Sequence, residues 1–230
     1  MCSGKKDYTL PRAYRLIQLL DCLGKVLKRL QAQCLAHYAT AFNLVSPSQF
    51  GARPGSSTTD AILTVVHDID AARDHKLVTS ALTFDIKGFF DFVNHSRLLS
   101  VLRQKNLPLP LIRWVASFLS NRRAAVCLDG QMDEMIAVIN GIPQGSLVSP
   151  ILAIFYASEL NEIFDNWLGP ITQEDHHQKA TRTSLYSFVD DGKLIQSSRS
   201  LAYNIVKLSF AYSVVVLWLT AVGLSADLVK

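Results

Sequence analysis

The sequence predicts an α+β fold, on three observations. Short strand-like runs are broken up by helical stretches rather than alternating with them in a regular βαβ pattern. Two places read as antiparallel hairpins, one around Asp129-Gly130 and one around Asp190-Asp191-Gly192. With 230 residues, 49% of them hydrophobic, the chain can bury a sizeable core as one or two domains.

The elements follow in order. Residues 23–38 read as a helix with Leu27, Leu30, Cys34 and Leu35 on one face. GARPGSS is a loop, punctuated by two Gly and a Pro. Ser57 or Thr58 then caps a helix in which Ile62, Val65, Val66 and Ile69 recur at helical spacing. Residues 77–86 form an apolar, β-branched strand that ends around Asp85. Helices are expected near 96–105 and 109–120, with Pro108 and Pro110 opening the second.

Residues 123–128 and 135–139 pair as the first hairpin, and 141–149 is a loop. Pro150 opens an apolar helix to about residue 167. Residues 169–182 are a polar surface connection in which the adjacent His176 and His177 are loop residues. Residues 184–189 and 193–195 form the second hairpin, with Asp190, Asp191 and Gly192 in its turn. The stretch 208–224 carries no charge and includes SVVVLWLTAV. It is borderline for the roughly 20 apolar residues of a membrane span, and Ser209, Tyr212, Ser213 and Thr220 favour a buried helix. No internal repeat or low-complexity tract is present.

Composition narrows the function classes. Net charge is +4, but residues 1–30 hold seven Lys and Arg against two Asp, a local +5, and the remainder nets −1. A concentrated positive end suits a polyanion such as nucleic acid or a triphosphate, and equally a solvated basic surface. The four cysteines, Cys2, Cys22, Cys34 and Cys127, show no C-x-x-C spacing. They read as buried or incidental thiols of a reducing, intracellular compartment, nuclear or cytoplasmic, and not as a disulfide frame or zinc site. The start MCSGKKDY lacks the apolar core of a secretory signal.

Two carboxylate positions carry the candidate chemistry. Asp85 ends the strand SALTFD, and Asp190-Asp191 sit in the turn of YSFVDDG. Carboxylates at the ends of apolar strands must face water, a cation or a metal. Magnesium suits them, since it is held by one or two carboxylates together with substrate phosphates. A D-D-G turn taken alone is more often structural.

The order FDIKGFFD, NGIPQGSLVSPIL, FVDD is what makes the sequence recognisable. Together with AYRLIQLLDCLGKVLKRL, QFGARPGSSTTDAI and LIRWVASFLSNRRAAVCLDG, these blocks resemble the reverse transcriptases of LINE-type (non-LTR) retrotransposons over nearly the whole chain. The resemblance implies a right-hand polymerase palm, an antiparallel sheet with packed helices, over 77–230, with partial fingers over 1–76 and the thumb missing. It implies RNA-directed DNA polymerase activity on an RNA template and DNA primer, using deoxynucleoside triphosphates and two Mg²⁺ ions. Neither a membrane nor an obligate protein partner is implied.

It also implies roles for single residues. Asp85, Asp190 and Asp191 match the family's metal-binding triad, with the backbone carbonyl of Ile86 as a further ligand. Phe90 matches the aromatic gate against a ribose 2′-hydroxyl. Gln144 and Gly145 match the P-Q-G loop that meets the incoming nucleotide. Arg15, with Lys5 or Lys6 beside it, matches the cations on the triphosphate, and Lys230 the lysine that protonates the leaving pyrophosphate. Asp91 reads as structural rather than as a ligand, and Arg53 as either a template contact or a loop arginine.

Departures from the family pattern are Phe89 where a small residue is usual, Leu16 in place of a proline, and F-V-D-D at the turn. A catalytically inactive remnant of such an element is the competing expectation. An RNA-templated RNA polymerase is a weaker one, because Phe90 stands where those enzymes tend to have an aspartate.

Overall fold

The computed structural model describes residues 22–128, 131–165, 167 and 173–227. Lys5, Lys6, Arg15, Lys230 and the Asp129-Gly130 turn lie outside these described residues. The element order is α1 (Cys22–Ala41), α2 (Thr58–Asp74), β1 (Val78–Ile86), α3 (Phe89–Phe92), α4 (His95–Gln104) and α5 (Leu109–Leu119). Next come β2 (Arg123–Ala124), β3 (Cys127–Leu128), β4 (Gln131–Met132), β5 (Ile136–Ala137), α6 (Ser149–Tyr156), α7 (Ser158–Asp165) and α8 (Gln173–Gln178). β6 (Ser184–Phe188), β7 (Asp191–Ser198), α9 (Leu201–Ala221) and β8 (Ala226–Asp227) complete the described chain.

The main sheet is antiparallel, in the order β6-β7-β1-β8. Its two faces differ. Leu82, Phe84 and Ile86 of β1 alternate toward the packed side, as do Leu185 of β6 and Leu194 of β7. α9 lies against that side: Phe84 meets the ring of Tyr212, and Asn204 donates to Val78 O at 2.7 Å and to Ser80 Oγ at 3.2 Å. α4, α5 and α6 thicken the core with Leu98, Leu102, Val115, Leu152 and Phe155. Glu159 of α7 ties the layers together, accepting from Arg97 of α4 and from Trp218 Nε1 of α9. On the other face Tyr186 donates to Asp68 of α2, and burial together with that bond pushes the phenol well above its usual pKa.

Several local expectations are corrected. α1 and α2 form, and α2 begins with a full capping box between Ser57 and Asp60. Their apolar stripes, however, are only partly core: Leu27, Leu30, Ile62 and Val66 are exposed, while Leu35 of the α1 stripe is buried, with Ala39 and Ala72 outside the stripes. Periodicity defines a stripe but not what lies against it. Of the two readings of the cysteines, Cys34 and Cys127 take the second: they are free and exposed, incidental thiols and not buried ones. The helix expected from Pro150 to about 167 is broken at Ala157, where Leu160 N–H turns to Ala157 O in a 3₁₀-type bond. His176 and His177 lie in the last turn of the short helix α8, not in a loop.

The first hairpin is two short ladders rather than one. Arg123 faces Ala137 and Cys127 faces Met132. The return side therefore carries one residue more between the ladders, a bulge that interrupts the pairing.

Candidate active site

β1 carries Asp85 to the open face of the sheet because its neighbours Phe84 and Ile86 are buried on the other. β7 runs antiparallel beside it in a register that sets Asp85 opposite Asp191. Residues directly opposed in an antiparallel pair share a face, so the two carboxylates rise side by side. Like charges so placed repel unless a cation offsets them. On the other side of β1, β8 sets Asp227 in register with Asp85.

The turn differs from expectation. Asp191 and Gly192 belong to β7, and only Val189 and Asp190 form the turn. Gly192 needs no special backbone angle. It is small because the ring of Phe84 lies over it, and a Cβ there would stand 2.2 Å from Phe84 Cζ. The strained residue is Val189, at φ 60, a conformation that β-branched residues rarely adopt.

Past Asp85 the chain turns sharply through Gly88, at φ 57, into the single turn of α3. Phe89 points away from the site. It is 1% exposed, with its ring edge-on to Tyr156, so it enlarges the core rather than crowding a nucleotide pocket. Phe90 is half-buried beside it, ring centroids 5.9 Å apart.

The backbone around Phe90 is tied to the P-Q-G loop. Ile142 N–H donates to Phe90 O at 2.7 Å and Gly141 N–H to Val93 O at 2.8 Å. Gly141 O is held in turn by His95 Nε2 at 2.7 Å and Arg122 Nη1 at 2.8 Å. Ser146 N–H then donates to Pro143 O at 3.2 Å, closing a turn with Gly145 third at φ 92. That position of such a turn needs positive φ, which is why a glycine follows Gln144. Gln144 is half-buried and Gly145 exposed. Asp91 is exposed at the start of α3, and crowding by neighbouring protein pushes its carboxyl above the ordinary range.

A family model described as "Reverse transcriptase (RNA-dependent DNA polymerase)" matches residues 4–230. The chain belongs to the reverse transcriptase family. Among its relatives, the probable RNA-directed DNA polymerase from transposon X-element of Drosophila melanogaster is 34% identical over 65% of this chain and 16% of its own. The probable RNA-directed DNA polymerase from transposon BS, of the same organism, is 30% identical over 85% of this chain and 20% of its own. These relatives place the chain with the polymerases of LINE-type elements, and it spans only about a fifth of their length or less. The structure of apo telomerase from Candida tropicalis truncated from its C-terminal domain, 18% identical, matches over 82% of this chain and 36% of its own with a TM-score of 0.52, which shows a shared fold.

Divalent metal is general to this family. Among the described residues of this chain, no group of three or more His, Cys, Asp or Glu side chains is gathered closely enough to hold an ion. Of the three expected aspartates, Asp85 and Asp191 are register partners, and Asp190 is the second residue of the adjoining turn. Ile86 is buried, in register with Ala226 of β8.

Arg53 Nη1 donates to Ser46 O at 3.0 Å and Gln49 O at 3.3 Å, fastening the segment it belongs to. Sequence reasoning passed over Gln49, which is fully buried beneath the Val189–Asp190 turn. No charge or motif chemistry signalled it. The only hint was its place at the head of Q-F-G.

Proposed function

We propose that this chain is the fingers-and-palm part of an RNA-directed DNA polymerase, with partial fingers over residues 1–76 and palm over 77–230. The carrying observation is the register of Asp85 against Asp191 on the open face, one short turn of chain from Phe90 and the P-Q-G loop bonded to it. Two carboxylates on one face fit a hard divalent cation that takes its remaining ligands from phosphate and water. By the pattern of the family, the opposed pair Asp85 and Asp191 would hold Mg²⁺ together with the Ile86 carbonyl, and Asp190 would join them for a second ion once substrate phosphates supply the remaining ligands. Bound there, the ions would offset charge on the attacking and leaving oxygens of an in-line displacement at phosphorus.

The chain's own residues do the rest. Phe90 presents a ring that cannot hydrogen-bond a 2′-hydroxyl and fills the space it needs, which favours deoxynucleotides. Gln144 and Gly145 border the incoming nucleotide from the loop fastened to the Phe90 backbone. Arg15, with Lys6 beside it, would fork onto the triphosphate, and Lys230 would give a proton to the leaving pyrophosphate.

The test is primer extension on an RNA template with Mg²⁺ and deoxynucleotides, by this chain and by a version extended downstream. Asp191→Asn and Asp85→Asn should each abolish extension. Extension that survives either substitution refutes the assignment, and inactivity of both unsubstituted proteins favours the inactive-remnant reading.

A further inference from the structure

Gln49 lies in a loop that runs along the outer edge of β6. It bridges in parallel to Ser187, with Phe50 N–H donating to Ser187 O at 2.9 Å and Ser187 N–H to Ser48 O at 3.0 Å. From this edge the Gln49 side chain, fully buried, reaches under the next turn. Its Oε1 accepts from Val189 N–H and from Gly51 N–H, each at 3.0 Å. Both partners are donors, so the opposite amide orientation would set an NH₂ against two N–H groups. The cost of this arrangement is visible: Nε2 is buried with no hydrogen-bond partner in the structure. A buried donor left without a partner is destabilising, and Val189 at φ 60 adds backbone strain.

Gly51 completes the fit. A Cβ at Gly51 would stand 2.5 Å from Val189 Cγ2 and 2.6 Å from Val189 N, so only glycine lets the loop approach the turn this closely. Strain, an orphaned amide and a close backbone approach thus converge on the residue that precedes Asp190. Such costs persist where the surroundings over-determine a geometry that function requires.

We infer that Gln49 is a positioning residue for catalysis: its carbonyl oxygen holds Val189 in the left-handed conformation that fixes where Asp190 and Asp191 stand relative to Asp85. This rests on the polymerase reading of those aspartates. Gln49 touches no substrate. It acts through the turn, and Gly51 acts with it by leaving room for Val189.

The experiment compares the downstream-extended protein with its Gln49→Met and Gln49→Met/Val189→Gly variants. Methionine keeps the length of the side chain and removes the acceptor, while glycine at 189 adopts positive φ without strain. Gln49→Met should lower kcat about 100-fold, with KM for the deoxynucleotide changed less than about threefold. Adding Val189→Gly should restore at least about tenfold of that loss. Amide hydrogen exchange reads the turn without any need for activity: protection of Val189 N–H should be lost in Gln49→Met and kept in Gln49→Glu, which retains an acceptor oxygen. Should Gln49→Met not fold, Gln49→Glu and parental exchange at Val189 still decide, since an unprotected Val189 N–H in the parent overturns the inference. A fully active Gln49→Met, or a loss that Val189→Gly leaves untouched, overturns it as well. An inactive parent with the expected exchange pattern counts against the polymerase reading and leaves the Gln49–Val189 restraint standing.

Discussion

The ring of Phe84 lies over Gly192, its register partner across the central strands, and leaves no room there for a side chain. Phe84 is itself held from behind by Tyr212 of α9, ring centroids 6.1 Å apart. Gly192→Ala should therefore overpack the strand and cost about 1–3 kcal/mol in denaturant unfolding. The Phe84→Leu/Gly192→Ala double variant should be less destabilised than the sum of its singles, because the smaller side chain frees the space. Additive losses would show that the ring does not set the glycine.

Much of the fold was legible because its signals are local. The apolar, β-branched run placed β1 and its end near Asp85, and the alternating burial seen in the structure puts Asp85 on the face opposite Phe84 and Ile86. Ser57 or Thr58 announced the start of α2, and Ser57 is the cap. The convergence of Asp85 with the Asp190-Asp191 segment followed only from motif order, since a register is a long-range property that no window of sequence contains. Val189 was the blind spot. A valine gives no signal for left-handed backbone, and the reason it adopts one is Gln49, far away in sequence. Buried faces were the other failure: α1 and α2 carry helical stripes whose Leu30 and Ile62 are exposed, because what covers a stripe is not written in its periodicity.

Phe90 should govern sugar choice. Its ring is half-buried, braced edge-on by Phe89, and its carbonyl is fixed by Ile142 N–H. In an active protein, Phe90→Ala should raise the kcat/KM for ribonucleotides relative to deoxynucleotides by at least about tenfold. Unchanged discrimination in steady-state primer extension would make Phe90 a core aromatic.

Asp91 should oppose stability at neutral pH. Crowding raises its folded-state pKa above the unfolded value of about 3.9. The folded protein then binds this proton more tightly than the unfolded chain does. Its favourable contribution is full below the unfolded pKa and is lost as pH rises through the raised value. Asp91→Asn should therefore raise Tm at pH 7, and the gain should shrink as pH falls toward about 4. The residue is exposed, so the gain should be small. A Tm difference that grows on acidification would contradict the sign.

α9 should behave as a helix with one packed side. By length and composition alone it could cross a membrane, with mean hydropathy 1.5 over its most apolar window and 33% of that window buried. The burial is not scattered. Asn204, Leu208, Ala211, Val215, Trp218 and Leu219 recur at three- and four-residue spacing, and they are the residues turned to the sheet and core. Trp218 is further fixed by its bond to Glu159, whereas Leu217 next to it is 69% exposed. Three of the four residues expected to be buried, Val215, Trp218 and Leu219, are buried, and Leu217 is not. A helix surrounded by lipid would treat Val215 and Leu217 alike, but a helix lying on a sheet cannot. Val215→Ala removes two methyl groups from a fully buried site and should cost about 1–2 kcal/mol, after allowance for the better helix propensity of alanine. Leu217→Ala removes more apolar surface from an exposed site and should change stability by less than about 0.5 kcal/mol. Denaturant unfolding of the two variants decides between the pictures. Equal losses, or a larger loss at Leu217, would mean that α9 does not pack as it does here.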